Sequence, residues 1–189
     1  MKLDVRPAAD CPWADLEALF GARGACGGCW CQVWRRPRAE FESGKKDNSG
    51  AGNRAELQRL WQAKAPLGLL AYAADEPIAW VAVAPREHYD YFRRSRVLKP
   101  DPAETGVWSI TCLFVAKAWR RQGVSSQVLR AAADWARAQG AQIVEGYPTQ
   151  PHTAKAAPVF LWTGTAAAFE AAGFSAKPGR EGQRPVYRG

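Results

Sequence analysis

Residues 120–126, with the sequence RRQGVSS, combine the residue types that hold a phosphate group. The two arginines carry full positive charges, and the glycine and serines are small enough to let an anion approach the backbone. An amphipathic helix is predicted to begin within this segment, at Val124, and helix N-termini leave N–H groups unpaired with a partial positive charge. The segment therefore indicates a cradle for a phosphate or pyrophosphate, with a plain strand-to-helix turn as the alternative.

Candidates for acid–base chemistry follow in the next predicted strand. Ile143, Glu145 and Tyr147 share one strand face, so a carboxylate and a phenol could reach the same cavity. His88 is a second candidate base because histidine titrates near neutral pH, and His152 is a weaker one. The alternatives are a salt-bridged strand carboxylate for Glu145 and an ordinary surface-loop residue for His88.

Three of the five cysteines cluster near the N-terminus, in the sequence GACGGCWC. A zinc site usually needs a second pair of Cys or His ligands, and the sequence around this cluster supplies none. An odd cysteine count without a secretion signal also argues against a disulfide framework. We therefore predict that Cys26, Cys29 and Cys31 are free thiols, with no metal bound.

The elements that must position these residues follow from hydrophobic periodicity. Residues Val107 to Val115 are nearly all apolar and predict a strand buried on both faces. The next helix runs from Val124 to Gly140, which ends it, and a strand from Gln142 to Tyr147 completes a β-α-β unit. The other predicted elements are a strand at 2–7, a helix from Trp13, a loop at 21–28, a polar flexible segment at 41–53, a helix at 54–65, a hairpin at 67–84, a charged excursion at 85–102, a helix at 165–172 and two short strands in the tail.

The order β-α-α-β-β-β-α-β-α-β predicts a mixed α/β fold in one domain, residues 1–189. The composition is that of a globular protein, with 47% hydrophobic and 23% charged residues. No apolar run is long enough to span a bilayer and the N-terminus lacks a signal-peptide core, so we expect a cytoplasmic protein. The net charge of +8 favours an anionic partner, but the arginines are scattered and no basic–aromatic motif favours nucleic acid.

Arg120-x-x-Gly123-x-Ser125 resembles the Arg/Gln-x-x-Gly-x-Gly/Ala signature of GNAT acetyltransferases, with Ser125 replacing the last small residue. The segment AFEAAGF at 168–174 resembles the family's LYEKLGF helix end. This resemblance covers residues 67–174. It implies a single-domain GNAT-like sheet flanked by helices, and acetyl-CoA as cosubstrate. Carried over by position, it assigns the coenzyme to the backbone of Phe114 and Val115 and to Arg120, Arg121, Gln122, Gly123, Val124, Ser125 and Ser126.

The resemblance also implies direct attack of an amine on the acetyl thioester. The tyrosine that protonates the departing thiolate in the family aligns with Phe169, which has no proton to give. Tyr147 is therefore the expected acid, with water or direct release of the thiolate as the alternatives. Glu145 is the preferred base and His88 the alternative base. A GNAT-fold protein that binds acyl-CoA without turnover, as a sensor or regulatory domain, is the competing interpretation.

The sequences GGCWCQVWR and PTQP resemble a poorly characterised GNAT subgroup with a Cys-Trp-Cys sequence near its first helices. This resemblance does not identify the acceptor, and small-molecule and peptide amines are both compatible with the sequence. Trp30, Trp34 and Trp162 are candidate lining residues of the acceptor pocket. A membrane partner is not expected, and a homodimer is one of the assemblies that the sequence permits.

Overall fold

Seven strands form one mixed sheet in the computed structural model, which describes residues 3–45, 49–149, 160–178 and 183–189. The order across the sheet is β1-β2-β3-β4-β5-β7-β6, and only β4 and β5 run parallel to each other. This is the predicted mixed α/β architecture. The strands are β1 Asp4–Pro7, β2 Gly68–Ala73, β3 Glu76–Pro85, β4 Val107–Val115, β5 Ile143–Gly146, β6 Ser175–Ala176 and β7 Tyr187–Arg188.

In the described ranges, six α-helices connect and flank these strands. They are α1 Trp13–Phe20, α2 Arg38–Ser43, α3 Ala51–Gln62, α4 Asp90–Arg94, α5 Val124–Ala138 and α6 Ala166–Ala171. The predicted hairpin, the buried fourth strand and the helix before Gly140 are confirmed. Among the described residues, no helix has the length and apolar character needed to cross a membrane.

The segment 41–53, predicted as polar and flexible, is partly helical, and three of its residues (46–48) lie outside the described chain. It contains the second half of α2 and the start of α3. The local composition is polar, but two buried anchors order it: Phe41 enters the core, and the fully buried Asn53 donates to the carbonyls of Gly28 (3.0 Å) and Phe41 (3.2 Å). Tertiary contacts have overridden the local pattern here.

The excursion at 85–102 is also more ordered than its charge suggested. It forms a short 3-10 helix, Arg86–His88, followed by α4. Tyr89 and Phe92 are buried and hold these turns against the sheet. Five-residue helices bury too little surface to produce a clear periodic pattern, so the sequence alone did not reveal α4.

The two sheet faces are covered by different helices. Helix α5 packs its apolar stripe, which includes Val128, Leu129 and Ala132, against one face. Helices α1 and α3 cover the other face through Leu16, Leu57 and the aromatic residues around them. Residues from both faces of β3 and β4 are therefore buried, as the apolar runs predicted.

The parallel strands β4 and β5 separate halfway along β4. Their pairing ends at Ile110 and Gly146, and residues 111–115 of β4 continue without β5 beside them. Residues 161–165 lie between the diverging chains, because the Leu113 amide donates to the Trp162 carbonyl (2.7 Å) and the Thr149 amide donates to the Gly164 carbonyl (2.9 Å). The strands therefore splay apart beside the second half of β4, and this opening, the cleft, is partly filled by residues 161–165.

Candidate active site

The N-terminus of α5 has the geometry of an anion cradle. Gly123 caps the helix with φ of 74°, a left-handed conformation that glycine adopts at little cost. The first hydrogen bond of the helix runs from the Gln127 amide to the Gly123 carbonyl (3.3 Å). The amides of residues 124–126 therefore have no acceptor carbonyl within the helix. A Cβ added at Gly123 would meet no atom within 4 Å apart from its chain neighbours, so this helix cap faces open space.

Side chains of the same loop hold it against the end of β4. Arg120 Nε donates to the Val115 carbonyl (2.9 Å), and Gln122 Nε2 donates to the Ala118 carbonyl (2.8 Å). Arg121 is exposed and has a positive φ of 62°. The loop is therefore fixed in place by Arg120 and Gln122, while both arginines keep positive charge at the helix entrance.

The backbone of β4 presents alternate residues to the cleft. The Ala116 amide donates to the Ile78 carbonyl of β3 (2.9 Å), and Phe114 lies opposite Trp80 of β3. By strand alternation, the peptide groups of Leu113 and Val115 point to the other side, where β5 has diverged. Of the two positions predicted to contact the coenzyme, Val115 thus presents its backbone to the cleft. Phe114 faces β3.

Glu145 and Tyr147, predicted to share a face, are joined by a hydrogen bond. The Tyr147 hydroxyl donates to Glu145 Oε2 (3.0 Å) and lies 2.8 Å from Ser109 Oγ of β4. Tyr147 is 1% exposed and Glu145 is 4% exposed. Burial and the neighbouring Glu145 charge raise the pKa of Tyr147 well above its ordinary value, so the phenol stays protonated.

An ion cluster surrounds Glu145. Arg188 contacts Glu145 Oε1 through both Nε (2.9 Å) and a terminal nitrogen (2.6 Å), and Arg86 lies 3.5 Å from Oε2. Glu104 pairs with Arg188 (2.6 Å) and Lys177 (2.9 Å). Burial alone would raise the pKa of Glu104, but the hydrogen bonds from Arg188 and Lys177 outweigh it and lower that pKa to about 2.

Glu145 lies at the paired end of β4, whereas Tyr147 follows Gly146, at the point where β4 and β5 diverge. Ser109, which bonds Tyr147, precedes Leu113 by four residues, or roughly 13 Å along a strand. A cavity of about 60 Å³ borders the cluster. The loop at residues 120–126 and the Glu145–Tyr147 pair therefore occupy two regions of the same sheet.

His88, the other candidate base, ends the 3-10 helix after β3 and is exposed. Burial of its ring and the charge of Arg35 lower its pKa below the ordinary value, so the imidazole is neutral at pH 7. A neutral imidazole can accept a proton. His152 lies outside the described residues.

Sequence reasoning missed Tyr89 and Thr111. Tyr89 is fully buried, and the guanidinium of Arg35 lies over its ring (4.6 Å) and 3.5 Å from its hydroxyl. Burial raises the pKa of Tyr89, an effect that the charge of Arg35 and a hydrogen bond with Thr111 oppose. Thr111 is the extra residue of a bulge in β4, two positions before Leu113. No spacing signal could have joined Arg35 to Tyr89, because both come from irregular segments.

The three tryptophans proposed to line an acceptor pocket occupy two places. Trp34 stacks on Tyr91 (centroids 4.5 Å apart) and meets Trp162 edge-on (6.0 Å). Trp30 borders a separate cavity of about 340 Å³ between α1 and α3. The structure thus brings Trp34 and Trp162 together and places Trp30 elsewhere.

The cysteines do not assemble into a metal site. Within the described ranges, no group of three His, Cys, Asp or Glu side chains is placed to hold a metal ion. Cys26 is exposed and Cys29 is partly exposed, whereas Cys31 is buried. Cys31 Sγ lies 3.1 Å from Cys112 Sγ of β4, a proximity that the sequence did not indicate.

The mixed sheet and its opening at β4 define an α/β fold in which the glycine-capped helix α5 begins beside that opening. The family model for the acetyltransferase (GNAT) family matches residues 31–161. The chain belongs to this family. It is an acetyltransferase, and its acetyl donor is acetyl-CoA.

Solved structures show the same fold. A PaiA N-acetyltransferase from Thermoplasma acidophilum in complex with coenzyme A is 14% identical, with a TM-score of 0.54 over 100% of this chain and 98% of that one. An N-acetyltransferase from Staphylococcus aureus is 13% identical, with a TM-score of 0.53 over 100% and 98% of the two chains. A ribosomal-protein-alanine N-acetyltransferase from Brucella melitensis is 15% identical, with a TM-score of 0.52 over 98% of each. Comparison with curated proteins gives no match.

Proposed function

We propose that this acetyltransferase transfers an acetyl group to a primary amine by direct attack of the amine on the thioester. The observation that carries the proposal is the open helix start at Gly123 beside the cleft in the sheet. The two features together offer amide donors for a pyrophosphate and a backbone edge for an acyl chain.

The residues that would hold acetyl-CoA are those of the loop and of β4. The amides of residues 124–126 and the charges of Arg120 and Arg121 suit a pyrophosphate. The amide of Val115 points to the cleft and is the donor that we propose for the oxyanion. The bound donor supplies the activated acetyl thioester.

We propose that Tyr147 and Glu145 form the route for the proton. In this route Glu145 takes the proton from the amine and Tyr147 gives its proton to the departing thiolate. The proton on Glu145 then passes to the Tyr147 oxygen along their hydrogen bond, which restores both groups. Arg86 and Arg188 already pair with the Glu145 carboxylate. His88, which is exposed and neutral, is the second candidate for removing the proton from the amine.

A second candidate function is acyl-CoA binding without turnover. It is favoured by the hydrogen bond from the Leu113 amide to the Trp162 carbonyl, because that bond occupies a donor on the cleft side of β4. A ligand that uses this amide must displace the carbonyl. The buried Phe169 at the family's tyrosine position also favours it.

Calorimetry with acetyl-CoA, followed by a thiol-release assay with a panel of primary amines, tests the proposal. Saturable binding and amine-dependent release of coenzyme A support acetyl transfer. Binding with no release for any amine supports the sensor function, and no binding would contradict both.

We further propose a cytoplasmic location, since no helix in the described chain could span a membrane. The Cys-Trp-Cys subgroup and a homodimer stay predictions.

A further inference from the structure

We propose that Cys31 and Cys112 are a modification site at which a low-molecular-weight disulfide, such as oxidised glutathione, produces an intramolecular disulfide in the folded protein. The carrying observation is geometric: the two Sγ atoms are 3.1 Å apart, although 81 positions separate the residues. This inference does not depend on acetyl transfer, because it concerns two thiols that the proposed reaction does not use.

The backbone around each cysteine holds the two thiols close together. Cys112 lies on β4 opposite Ala82 of β3, so its side chain faces the helices α1 and α3. Cys31 follows Trp30, and both have left-handed backbone conformations, with φ of 54° and 45°. Residues other than glycine adopt this region only when their surroundings hold them there.

Trp30 provides that hold. Its ring is 3% exposed, its Nε1 donates to the Ser49 carbonyl (3.0 Å), and it packs with Phe20 (5.8 Å between centroids). The turn therefore points Cys31 at the sheet and keeps it there. A disulfide has an S–S distance of about 2.05 Å, so the sulfurs need to close by roughly 1 Å, a movement within reach of side-chain rotation.

The chemistry balances with the named oxidant. Cys112 is partly exposed, so its thiolate attacks one sulfur of oxidised glutathione, forming a mixed disulfide and releasing one glutathione thiolate. Cys31 then loses its proton to solvent and attacks Cys112 Sγ, which releases the second glutathione. The two cysteines together lose two electrons and two protons, and the reagent is reduced to two thiols.

The environment of Cys31 accounts for the order of these steps. Its contact with Cys112 and its burial raise the pKa of the Cys31 thiol well above the ordinary value, so it is a poor first nucleophile. Once Cys112 carries the mixed disulfide, the neighbouring Cys31 needs only transient deprotonation, because its partner sulfur is already in contact. The exposed Cys26 has no such neighbour among the described cysteines.

Peptide mapping of the full chain tests the site. Reduced protein is incubated with oxidised glutathione at mildly alkaline pH, quenched with acid and alkylated. We expect a peptide linking Cys31 to Cys112, a mass loss of two hydrogens for the whole chain, and alkyl groups on the other three cysteines. The melting temperature should rise on oxidation and return with dithiothreitol, because a cross-link across 81 positions restricts the unfolded chain.

Variants make the result decisive. Cys112→Ser should abolish the linked peptide and the shift in melting temperature, and Cys31→Ser should do the same. Cys26→Ser is the matched control and should retain both. If Cys31→Ser does not fold, Cys112→Ser carries the test. A stable glutathione adduct on Cys112 without the internal link would overturn the proposal, and so would a different cysteine pair or the same link in equal yield from urea-unfolded chain.

Discussion

The ring of Phe169 packs directly on the backbone of Gly146, the last residue of β5. Phe169 is fully buried, and a Cβ at Gly146 would overlap its ring. The residue at the family's usual tyrosine position therefore belongs to the hydrophobic core between α6 and the sheet.

This contact predicts that Gly146→Ala strongly destabilises the protein. The methyl group has no space unless the ring moves, and overpacking of this kind typically costs about 1–3 kcal/mol. Phe169→Leu alone should also lower the free energy of unfolding. In the double variant Gly146→Ala/Phe169→Leu, part of the loss caused by Gly146→Ala should be recovered, because the smaller leucine leaves space for the alanine methyl group. Urea denaturation of the two single variants and the double variant measures this coupling. Strictly additive losses would show that the two residues are not in contact.

Gly123→Val should abolish binding of acetyl-CoA. A branched Cβ would project into the open space before the helix amides, and a β-branched residue also strains a φ of 74°. Gly140→Val is the matched control, since Gly140 has φ of 93°, an equally open Cβ position and a place at the other end of the same helix. We expect both variants to lose stability and only the first to lose affinity in calorimetry. Equal affinities would remove the loop from the binding site.

Tyr147→Phe should lower the turnover number by about a hundred- to ten-thousand-fold while acetyl-CoA affinity stays within about twofold, if the hydroxyl transfers a proton. Glu145→Gln should lower turnover too. Glu170→Gln is the control because this exposed carboxylate only accepts a hydrogen bond from Tyr187 (3.0 Å). Steady-state kinetics with an accepted amine is the measurement. Wild-type turnover in both variants would leave His88 as the residue to examine.

The pH profile separates a chemical role of Tyr147 from a packing role. Burial and the Glu145 charge raise the pKa of Tyr147, so wild-type turnover should not fall near pH 10, where a free phenol ionises. Removing the charge in Glu145→Gln lowers that pKa, and the alkaline limb should then move to lower pH. An alkaline limb at the same pH in both proteins would contradict a role for the phenol as acid.

Glu104 should make stability depend on acid pH. Its pKa is lowered from 4.5 to about 2 on folding, so its stabilising effect is complete above about pH 4.5 and is lost as the pH falls through about 2. Glu104→Gln should reduce the free energy of unfolding at pH 7 by roughly 1–2 kcal/mol, after allowance for solvent screening. At pH 2 the same substitution should reduce the free energy of unfolding much less. Glu76→Gln, at the exposed first residue of β3, is the control for urea denaturation at the two pH values.

The sequence predicted those helices and strands in which a regular pattern of apolar residues continues over a long segment. Helix α5 has an apolar stripe over fifteen residues, and β4 is continuously apolar, so both were located from pattern alone. The short helices α2 and α4 were missed because single buried residues, Phe41 and Phe92, fix them through tertiary contacts. Local patterns carry no information about such partners.

The same distinction applies to the site. The cradle at Gly123 is a local motif and could be predicted, whereas the ion pairs of Glu145 could not. Arg86 and Arg188 reach that carboxylate from chain positions before and after it, through folding of the whole sheet. Likewise, nothing in the spacing of Cys31 and Cys112 brings their sulfurs together. Long-range pairs of this kind depend on the topology of the sheet.

The buried amide of Asn53 links three stretches of chain that share no strand pairing. Its Nδ2 donates to the carbonyls of Gly28 and Phe41, and its Oδ1 accepts from Arg36 (3.1 Å). Residues 28–41 therefore gain part of their order from α3, and we expect them to open as one cooperative unit at a lower free energy than the sheet. Hydrogen exchange should show these amides exchanging together, and Asn53→Ala should accelerate them while the amides of β3 and β4 keep their protection.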